Sequence, residues 1–511
     1  MPLSPRKIGV LAGAIAAILV FAGTRPNAPG LSLDGVTYMS AADALVHTGE
    51  LRVPYSRWTD ADSTAPLAHW APGLPLLLAA PHAVGVPILT GARALLILSA
   101  FATILGLALL THRVAGAPAA VIVSTLVIAS PDLARLHTSV WSEPPFLVCV
   151  VALLAALVLE PDRRVLHGLL AAVGVLLRYA GVALAAAAAL WALARPGNWR
   201  ARLRAASIAV LPSLIAQLWW TWRTTHDSAE IRSFQVNRLE RGVWMQAAKN
   251  IRDWLSPATD FAPATNLPTF AQWTVALLVG FVAIAVLVLA VRRLHALSTH
   301  VRPSASEPEA RLYAAVALLA AVYTAVIIAA RLFADRWIQF DGRIFSPVIL
   351  LAETATAVAL GGWWVRGTRA ARLVATAALM LWAAKGLTTS VSEGRIAMQE
   401  GRYMTYGYWR YSALLDWVRR SGGDFPIYSN YPSAVFMYAH RSARETPSLE
   451  EYTRLREFGA TLVRTNGVFV AFDMPSAWLE PNEPLARYLA LREVARFPDG
   501  VVWAASDSTP R

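Results

Sequence analysis

The first hydrophobic segment and the polar stretch after it read IGVLAGAIAAILVFAGTRPNAPGLSLDGVTY (residues 8–38). The apolar part, Ile8 to Phe21, follows two basic residues, as the core of a signal peptide does, but no convincing small-residue cleavage site comes after it. We therefore predict a retained first helix that crosses a membrane. Asp34 follows about ten residues later, at the start of a helical stripe that lies against the membrane.

The composition is that of an integral membrane protein. Of 511 residues, 56% are hydrophobic and 15% are charged, a larger apolar share than soluble domains have. Apolar stretches of about 20 residues, the length that crosses hydrocarbon, recur from residue 8 to about residue 388. We predict a transmembrane domain at 1–390, with an outer loop at 25–90, and a second domain at 391–511. The single cysteine, Cys149, excludes an intramolecular disulfide and a Cys/His zinc site.

Basic residues mark the cytoplasmic side of the predicted spans. The net charge is +13, but its cations concentrate in short loops, where membrane orientation explains them better than nucleic-acid binding does. About eleven spans result, with the amino terminus inside and the carboxyl terminus outside, and ten or twelve spans also fit. The spans lie at roughly 8–24, 91–111, 117–130, 145–159, 205–222, 268–291, 312–333, 345–363 and 373–388, with two short helices inside 166–194.

The two short helices are predicted from charge. Both flanks of residues 166–194 are basic and so cytoplasmic, which requires the chain to run out and back. The tip of this excursion is Leu177-Arg178-Tyr179-Ala180-Gly181. An arginine is thereby predicted at or near the outer face, enclosed by the bundle.

The polar tail predicts a small α/β domain on the outer surface. Its segments alternate between helical and strand periods. We predict helices at Tyr411 to Arg420 and Leu485 to Val494, and strands at Pro426 to Asn430, Gly467 to Phe472 and Gly500 to Ala504.

Asp34 has two interpretations. It begins a helix whose positions Tyr38, Ala41, Ala42 and Leu45 share one face, so this helix can lie along the membrane interface. Aspartate is a preferred N-cap residue, and capping of the helix would by itself explain Asp34. A carboxylate at the mouth of a lipid-embedded cavity also suits a general base, and the two roles are compatible.

Further polar residues fall at the outer ends of the predicted spans. Glu143 precedes a proline at a helix start, where it is either a dipole partner or a site acid that orients an acceptor or binds a cation. Arg178 and Arg343 either extend to lipid headgroups or hold a phosphate through their forked donors. We also select as candidate substrate-binding residues Tyr38, His69 and Tyr179.

Five short motifs in this order resemble the polytopic GT-C glycosyltransferases, the superfamily of protein O-mannosyltransferases, lipid A aminoarabinose transferases and oligosaccharyltransferase subunits. The motifs are Asp34-Gly-Val-Thr-Tyr38, Trp70-Ala-Pro-Gly-Leu-Pro75, Trp141-Ser-Glu143-Pro, Leu177-Arg-Tyr-Ala-Gly181 and Arg343-Ile-Phe-Ser-Pro347. The resemblance covers roughly residues 1 to 390. It is strongest to the broad bacterial branch that groups with the ArnT-like and Rgt-like transferases, related to the protein mannosyltransferases.

This resemblance implies a mainly α, polytopic transmembrane bundle of the GT-C type with a small C-terminal extracytoplasmic α/β domain, in a bacterial cell membrane. It also implies a polyprenyl-phosphate-linked sugar donor, inversion at the anomeric carbon, and Asp34 as the general base, with Glu143 as a second catalytic acid. The mannosyltransferases have an Asp-Glu pair where this chain has Asp34-Gly35. The sugar acceptor is accordingly left as a glycan, a lipid or a protein.

Two other functions stay open at this point. A transporter or lipid flippase would also be polytopic, but its charges are expected near mid-membrane, whereas here they cluster at span ends. A non-catalytic scaffold for envelope assembly is the third class. The sequence identifies no cofactor as required, and a divalent cation held by Asp34 and Glu143 is compatible with the transfer chemistry. No nucleic-acid partner is expected.

Overall fold

The computed structural model describes residues 4–25, 29–227, 245, 307–335, 338–421, 423, 425–447, 453–473, 489 and 491–506. The predicted span at 268–291 lies outside the described residues. The described part of the chain is mostly helical, with one small and one larger sheet.

The helices and strands are numbered here along the chain. The helices are α1 (Pro5–Gly23), α2 (Leu33–Thr48), α3 (Gly73–Ala83), α4 (Ile88–Ile128), α5 (Pro131–His137), α6 (Glu143–Leu159), α7 (Arg164–Leu177), α8 (Val182–Leu193), α9 (Trp199–Asp227), α10 (Glu307–Phe333), α11 (Ser346–Arg366), α12 (Arg369–Glu400), α13 (Gly407–Arg410), α14 (Ala413–Arg420), α15 (Pro432–Ala439) and α16 (Leu455–Thr465). The strands are β1 (Arg52–Val53), β2 (Tyr55–Ser56), β3 (Ala65–Pro66), β4 (Ile427–Ser429), β5 (Ala443–Glu445), β6 (Val468–Phe472), β7 (Leu491–Phe497) and β8 (Gly500–Ala505).

Among the described residues, six helices are long and apolar enough to cross a membrane: α1, α4, α9, α10, α11 and α12. Shorter apolar helices are α3, α6, α7 and α8. Every predicted span within the described ranges falls on one of these elements, and the chain is a multi-pass membrane protein. The number of crossings, about eleven, stays a prediction.

A glycine separates two predicted spans inside α4. Gly116 has φ 81° and ψ −175°, a conformation that interrupts the helix and that a residue without a side chain adopts at low cost. Pro118 follows and cannot donate a backbone hydrogen bond. The boundary predicted between residues 111 and 117 therefore lies at a true break in the helix.

The predicted tip between α7 and α8 is also a break. Helix α7 ends at Leu177, Arg178 is extended (φ −152°, ψ 140°), and a 3-10 turn covers Tyr179–Gly181. A Cβ on Gly181 would lie 2.3 Å from the backbone of Gly174, so the turn folds directly back onto α7. Glycine is required here because the two backbones meet.

The chain folds into two compact units. The first comprises Met1–Gly23, Trp70–Leu74 and Arg93–Arg395, and the second comprises Thr24–His69, Pro75–Ala92 and Ile396–Arg511. In the first unit α6 is buried along most of its length, and its leucines pack in one apolar core with residues of α8, α10 and α11.

The second unit is built on a six-stranded sheet in the order β2-β5-β4-β6-β8-β7. The pairs β2 with β5, β5 with β4 and β4 with β6 are parallel, whereas β6 with β8 and β8 with β7 are antiparallel. Strand β2 comes from the outer loop at 25–90 and completes a sheet whose other strands come from the tail. All residues of β6 and β8 are buried, as expected for central strands.

Two details of the predicted tail are wrong. Residues 491–494, predicted as the end of a helix, are in β7, because a Pro498-Asp499-Gly500 turn returns the chain into β8. Pairing along this hairpin overrides the helical spacing of Leu491 and Val494. The helix predicted from Tyr411 begins only at Ala413, because the Ser412 side chain accepts a hydrogen bond from the Leu415 amide and caps it.

We predict that Gly181→Ala destabilises the first unit. The added methyl group would collide with the Gly174 backbone, which cannot move aside as a flexible side chain does, at a cost of about 1–3 kcal/mol. Thermal unfolding of the detergent-purified protein should show a lower Tm. Gly394→Ala is the matched control, since nothing lies within 4 Å of a Cβ there and alanine favours the helix. Equal Tm values for the two variants would contradict the prediction.

Candidate active site

The first unit brings together Glu143, Arg178 and Arg343, which we call the arginine–glutamate cluster. The Oε1 atom of Glu143 accepts from Nη1 of Arg178 and, at 2.6 Å, from Nε of Arg343. The three residues are separated by as many as 200 positions in the sequence. The structure therefore gathers three groups that the sequence placed at the ends of different spans.

Glu143 is held where α6 begins. It is followed by Pro144 and Pro145, which have no amide hydrogen and whose fixed φ suits the first turn of a helix. Glu143 is 2% exposed, and its carboxylate is bound by guanidinium groups. Interaction with the dipole of α6 therefore explains only part of the position of Glu143.

Arg178 and Arg343 both turn towards Glu143. Arg178 directly follows the last residue of α7, and its Nη1 also lies 3.5 Å from the Ser142 hydroxyl. The guanidinium carbon of Arg343 lies 4.5 Å from the centre of the Trp141 ring, in cation–π contact. Their side chains are 12% and 27% exposed, which differs from arginines that extend to lipid headgroups.

The cluster contains two guanidinium groups and one carboxylate. Two guanidinium groups share a single carboxylate, and Oε2 of Glu143 is buried without a hydrogen-bond partner among the described residues. A further acid, Asp341, lies two residues before Arg343, and its Oδ1 accepts from the Ile344 amide at 2.8 Å. Burial raises the pKa of Asp341 above its ordinary value. The cluster is suited to an anion, and the same cations oppose a metal dication at Glu143.

Tyr179 joins the turn after α7 to the segment at 70–74. Its hydroxyl donates to the Trp70 carbonyl at 3.4 Å and accepts from the Trp220 indole N–H at 2.9 Å. A Cβ on Gly73 would lie 2.6 Å from the Leu176 carbonyl oxygen, so the two motifs meet backbone to backbone. The phenol thus has a structural role, and its predicted contact with substrate stays a prediction.

Asp34, Tyr38 and His69 belong to the second unit. Asp34 is half-buried in the first turn of α2, but the N-cap is Ser32, whose side chain accepts from the Gly35 amide at 3.4 Å. The interpretation of Asp34 as the N-cap residue is therefore wrong, because the N-cap lies two residues earlier and Asp34 is in the first turn. Tyr38 is buried, and His69 is exposed.

Two features of the structure were not predicted from the sequence. One is Trp141, quoted within a motif but not recognised as the ring that Arg343 stacks on. The other is a group of potential metal ligands, Asp43, His47 and His82, in the second unit. The spacing of Asp43 and His47, one helical turn apart, was the only signal in the sequence that pointed to it.

Comparison with protein-family models and with curated protein sequences finds no match. Solved structures do match. ArnT from Cupriavidus metallidurans in the apo state has a TM-score of 0.54 at 15% identity over 98% of this chain and 99% of that chain. The arabinofuranosyltransferase AftD from Mycobacteria has a TM-score of 0.53 at 15% identity over 100% of this chain and 40% of that chain.

The archaeal oligosaccharyltransferase AglB from Archaeoglobus fulgidus has a TM-score of 0.53 at 14% identity, covering 98% of this chain and 74% of that chain. Identities this low establish the fold alone. The chain has the GT-C fold, as its five motifs indicated.

We predict that Glu143→Gln strongly destabilises the protein. Without the carboxylate, two poorly hydrated guanidinium groups repel each other, and breaking a buried ion pair in this way costs about 3–5 kcal/mol. Glu160→Gln, at the other end of α6, is the control because its pair with Arg163 is exposed and is worth about 0–1 kcal/mol. Thermal unfolding in detergent should show a far lower Tm for the first variant, and equal Tm values would contradict the prediction.

Proposed function

We propose that this chain is an inverting membrane glycosyltransferase, which moves a sugar from a polyprenyl-phosphate-linked donor to an acceptor hydroxyl at the extracytoplasmic face. The observation that carries the proposal is the arginine–glutamate cluster, in which two guanidinium groups meet at one place, in a bundle of the GT-C fold. Structures of this fold include ArnT bound to undecaprenyl phosphate and AglB in complex with an inhibitory peptide and a dolichol-phosphate. They support a lipid phosphate as the anion.

In this proposal the cluster binds the leaving group. A phosphate has several acceptor oxygens, and a guanidinium group offers them forked donors and a permanent charge. Glu143 holds Arg178 and Arg343 in place and offsets half of their charge, so that the released lipid phosphate can leave the site. Because the cluster lies where α6 begins and α7 ends, the phosphate would reach it while the polyprenyl chain stays beside the apolar helices.

Asp34 is the proposed general base. Its carboxylate accepts the proton from the acceptor hydroxyl while the acceptor oxygen forms a bond to the sugar C1 and the bond from C1 to the phosphate oxygen breaks. Attack opposite the leaving group inverts the anomeric carbon. The half-buried position of Asp34 in the first turn of α2 supports the role, since Ser32 already caps that helix.

The remaining predicted parts complete the proposal. Tyr38, His69 and Tyr179 are proposed to contact the donor or the acceptor, which is a glycan, a lipid or a protein. The chain would lie in a bacterial cell membrane with about eleven spans, its amino terminus in the cytoplasm and its carboxyl-terminal α/β domain outside. A divalent cation is not needed for the steps described, because arginines stabilise the leaving phosphate.

The test of the base is Asp34→Asn. We expect transfer of a radiolabelled hexose or pentose from undecaprenyl phosphate by the purified protein to fall about 10²–10⁴-fold, because the amide cannot accept the proton. Expression and Tm should stay as in the wild type. Asp62→Asn is the control, an exposed aspartate of the same outer loop. A variant with near wild-type turnover would remove Asp34 from the role.

The test of the phosphate site does not depend on knowing the sugar. We expect Arg343→Gln to weaken binding of undecaprenyl phosphate, measured by native mass spectrometry in detergent, about 10–100-fold, as charged hydrogen bonds of about 1.5–3 kcal/mol are lost. Arg163→Gln removes an exposed arginine and should bind as the wild type does. If both variants bind equally, Arg343 does not hold the phosphate. Movement of lipid-linked sugar across proteoliposomes without transfer would instead favour a transporter.

A further inference from the structure

A second cluster of ionisable side chains lies in the second unit. Asp43 and His47 are one turn apart on α2, and His82 is in the last turn of α3. One ligand atom from each side chain lies within 4.8 Å of the other two. None of these residues belongs to the transfer chemistry proposed above, so the cluster requires its own explanation.

The spacing of the ligand atoms fits a small metal ion. His82 Nε2 lies 3.0 Å from Asp43 Oδ1, and His47 Nδ1 lies 3.4 Å from the same oxygen. In a tetrahedral zinc site with bonds of about 2.0–2.1 Å, neighbouring ligand atoms are roughly 3.3 Å apart. The ring centroids of His47 and His82 lie 5.8 Å apart, and one ligand atom of each ring lies within 4.8 Å of the other and of an Asp43 oxygen.

The hydrogen bonds of His82 fix the orientation of its ring. Its Nδ1 lies 3.0 Å from the Val86 carbonyl oxygen, and its Nε2 faces the Asp43 carboxylate. Both partners are acceptors, so the neutral ring, which carries one hydrogen, satisfies only one of them. A protonated ring donates to both acceptors, and a metal ion at Nε2 would take the place of the proton that faces Asp43. A carbonyl that fixes the tautomer of a ligating histidine is the usual outer support of metal sites.

We propose that Asp43, His47 and His82 bind one divalent transition-metal ion of the zinc type. Two imidazoles and a carboxylate favour zinc and its neighbours over magnesium or calcium, which prefer oxygen ligands. The Asp43 and His47 side chains are 48% and 65% exposed, so the ion can enter from solvent and take water as its remaining ligand. Binding replaces the hydrogen bond that His47 Nδ1 now makes with the Asp43 carbonyl oxygen.

The ion would link two helices of the second unit. Asp43 and His82 are 39 residues apart in sequence, and the metal would join the carboxyl-terminal turns of α2 and α3. Asp34 lies at the opposite end of α2, so the ion would fix the helix that carries it. The site stands on its own geometry and does not depend on the proposed sugar transfer.

The experiment measures bound metal directly. The full-length protein, purified in detergent with an affinity tag that contains no histidine, is stripped with a chelator, dialysed against micromolar zinc chloride and analysed by inductively coupled plasma mass spectrometry. We expect one zinc per chain in the wild type. We expect His47→Asn and His82→Asn each to weaken zinc binding at least tenfold, and magnesium chloride to give no bound metal.

His440→Asn is the matched control. It is the same substitution in the same unit, at a residue with φ 54°, a conformation that asparagine tolerates well. It should bind zinc as the wild type does. Because His47 is exposed, its variant should keep the wild-type Tm in the absence of metal, so lost binding there cannot come from unfolding.

A cobalt-loaded sample gives a readout of geometry. The wild type should show the visible absorption of four-coordinate cobalt, and His47→Asn should lose it. The proposal is overturned if the wild type binds no zinc under these conditions, or if the double variant of His47 and His82 binds as much zinc as the wild type.

Discussion

Two guanidinium groups on one buried carboxylate are the constraint on which the arrangement of the first unit depends. Taking Glu143 and Arg178 out of water costs several kcal/mol per ion, and only close pairing recovers that cost. Close pairing requires the start of α6, the end of α7 and the loop before α11 to meet at one place. The surrounding helices supply the packing that holds these three segments together, with α6 buried along most of its length.

The three charged residues of the cluster lie at helix ends: Glu143 begins α6, Arg178 follows α7 and Arg343 precedes α11. An unbroken helix satisfies its own backbone, so it can pass through an apolar region. The break after Leu177 turns Arg178 towards Glu143, and Gly181 allows the chain to return immediately. Gly73 then lets the segment at 70–74 lie against the end of α7. Gly181 and Gly73, which allow backbones to meet closely, thus help to determine where the charge of Arg178 is located.

Much of the helical part followed from the sequence, because a span needs only length and apolarity, and the basic loops placed the turn at Arg178 correctly. The contact of Glu143 with both arginines could be raised only as a hypothesis, since no local pattern encodes contacts between segments 200 residues apart.

Strand β2 was missed because two residues carry no periodicity. The helix predicted at 485–494 was wrong over 491–494, because pairing in a hairpin outweighed local spacing. Asp34 was considered as a cap, although Ser32, two residues earlier, fills that position.

The position of Asp34 depends on how α2 is held at both ends. Before its first turn, the Leu31 carbonyl accepts from the Met404 amide at 2.8 Å, and Leu31 bridges to Tyr403, which has the unusual φ of 54°. That strained backbone persists only when its surroundings enforce it. Near its last turn, Asp43 contacts His82 of α3. A carboxylate acts as a base only when its direction is fixed, and helix propensity alone fixes a conformation but not a location. The two attachments, far apart in sequence and both within the second unit, supply that location.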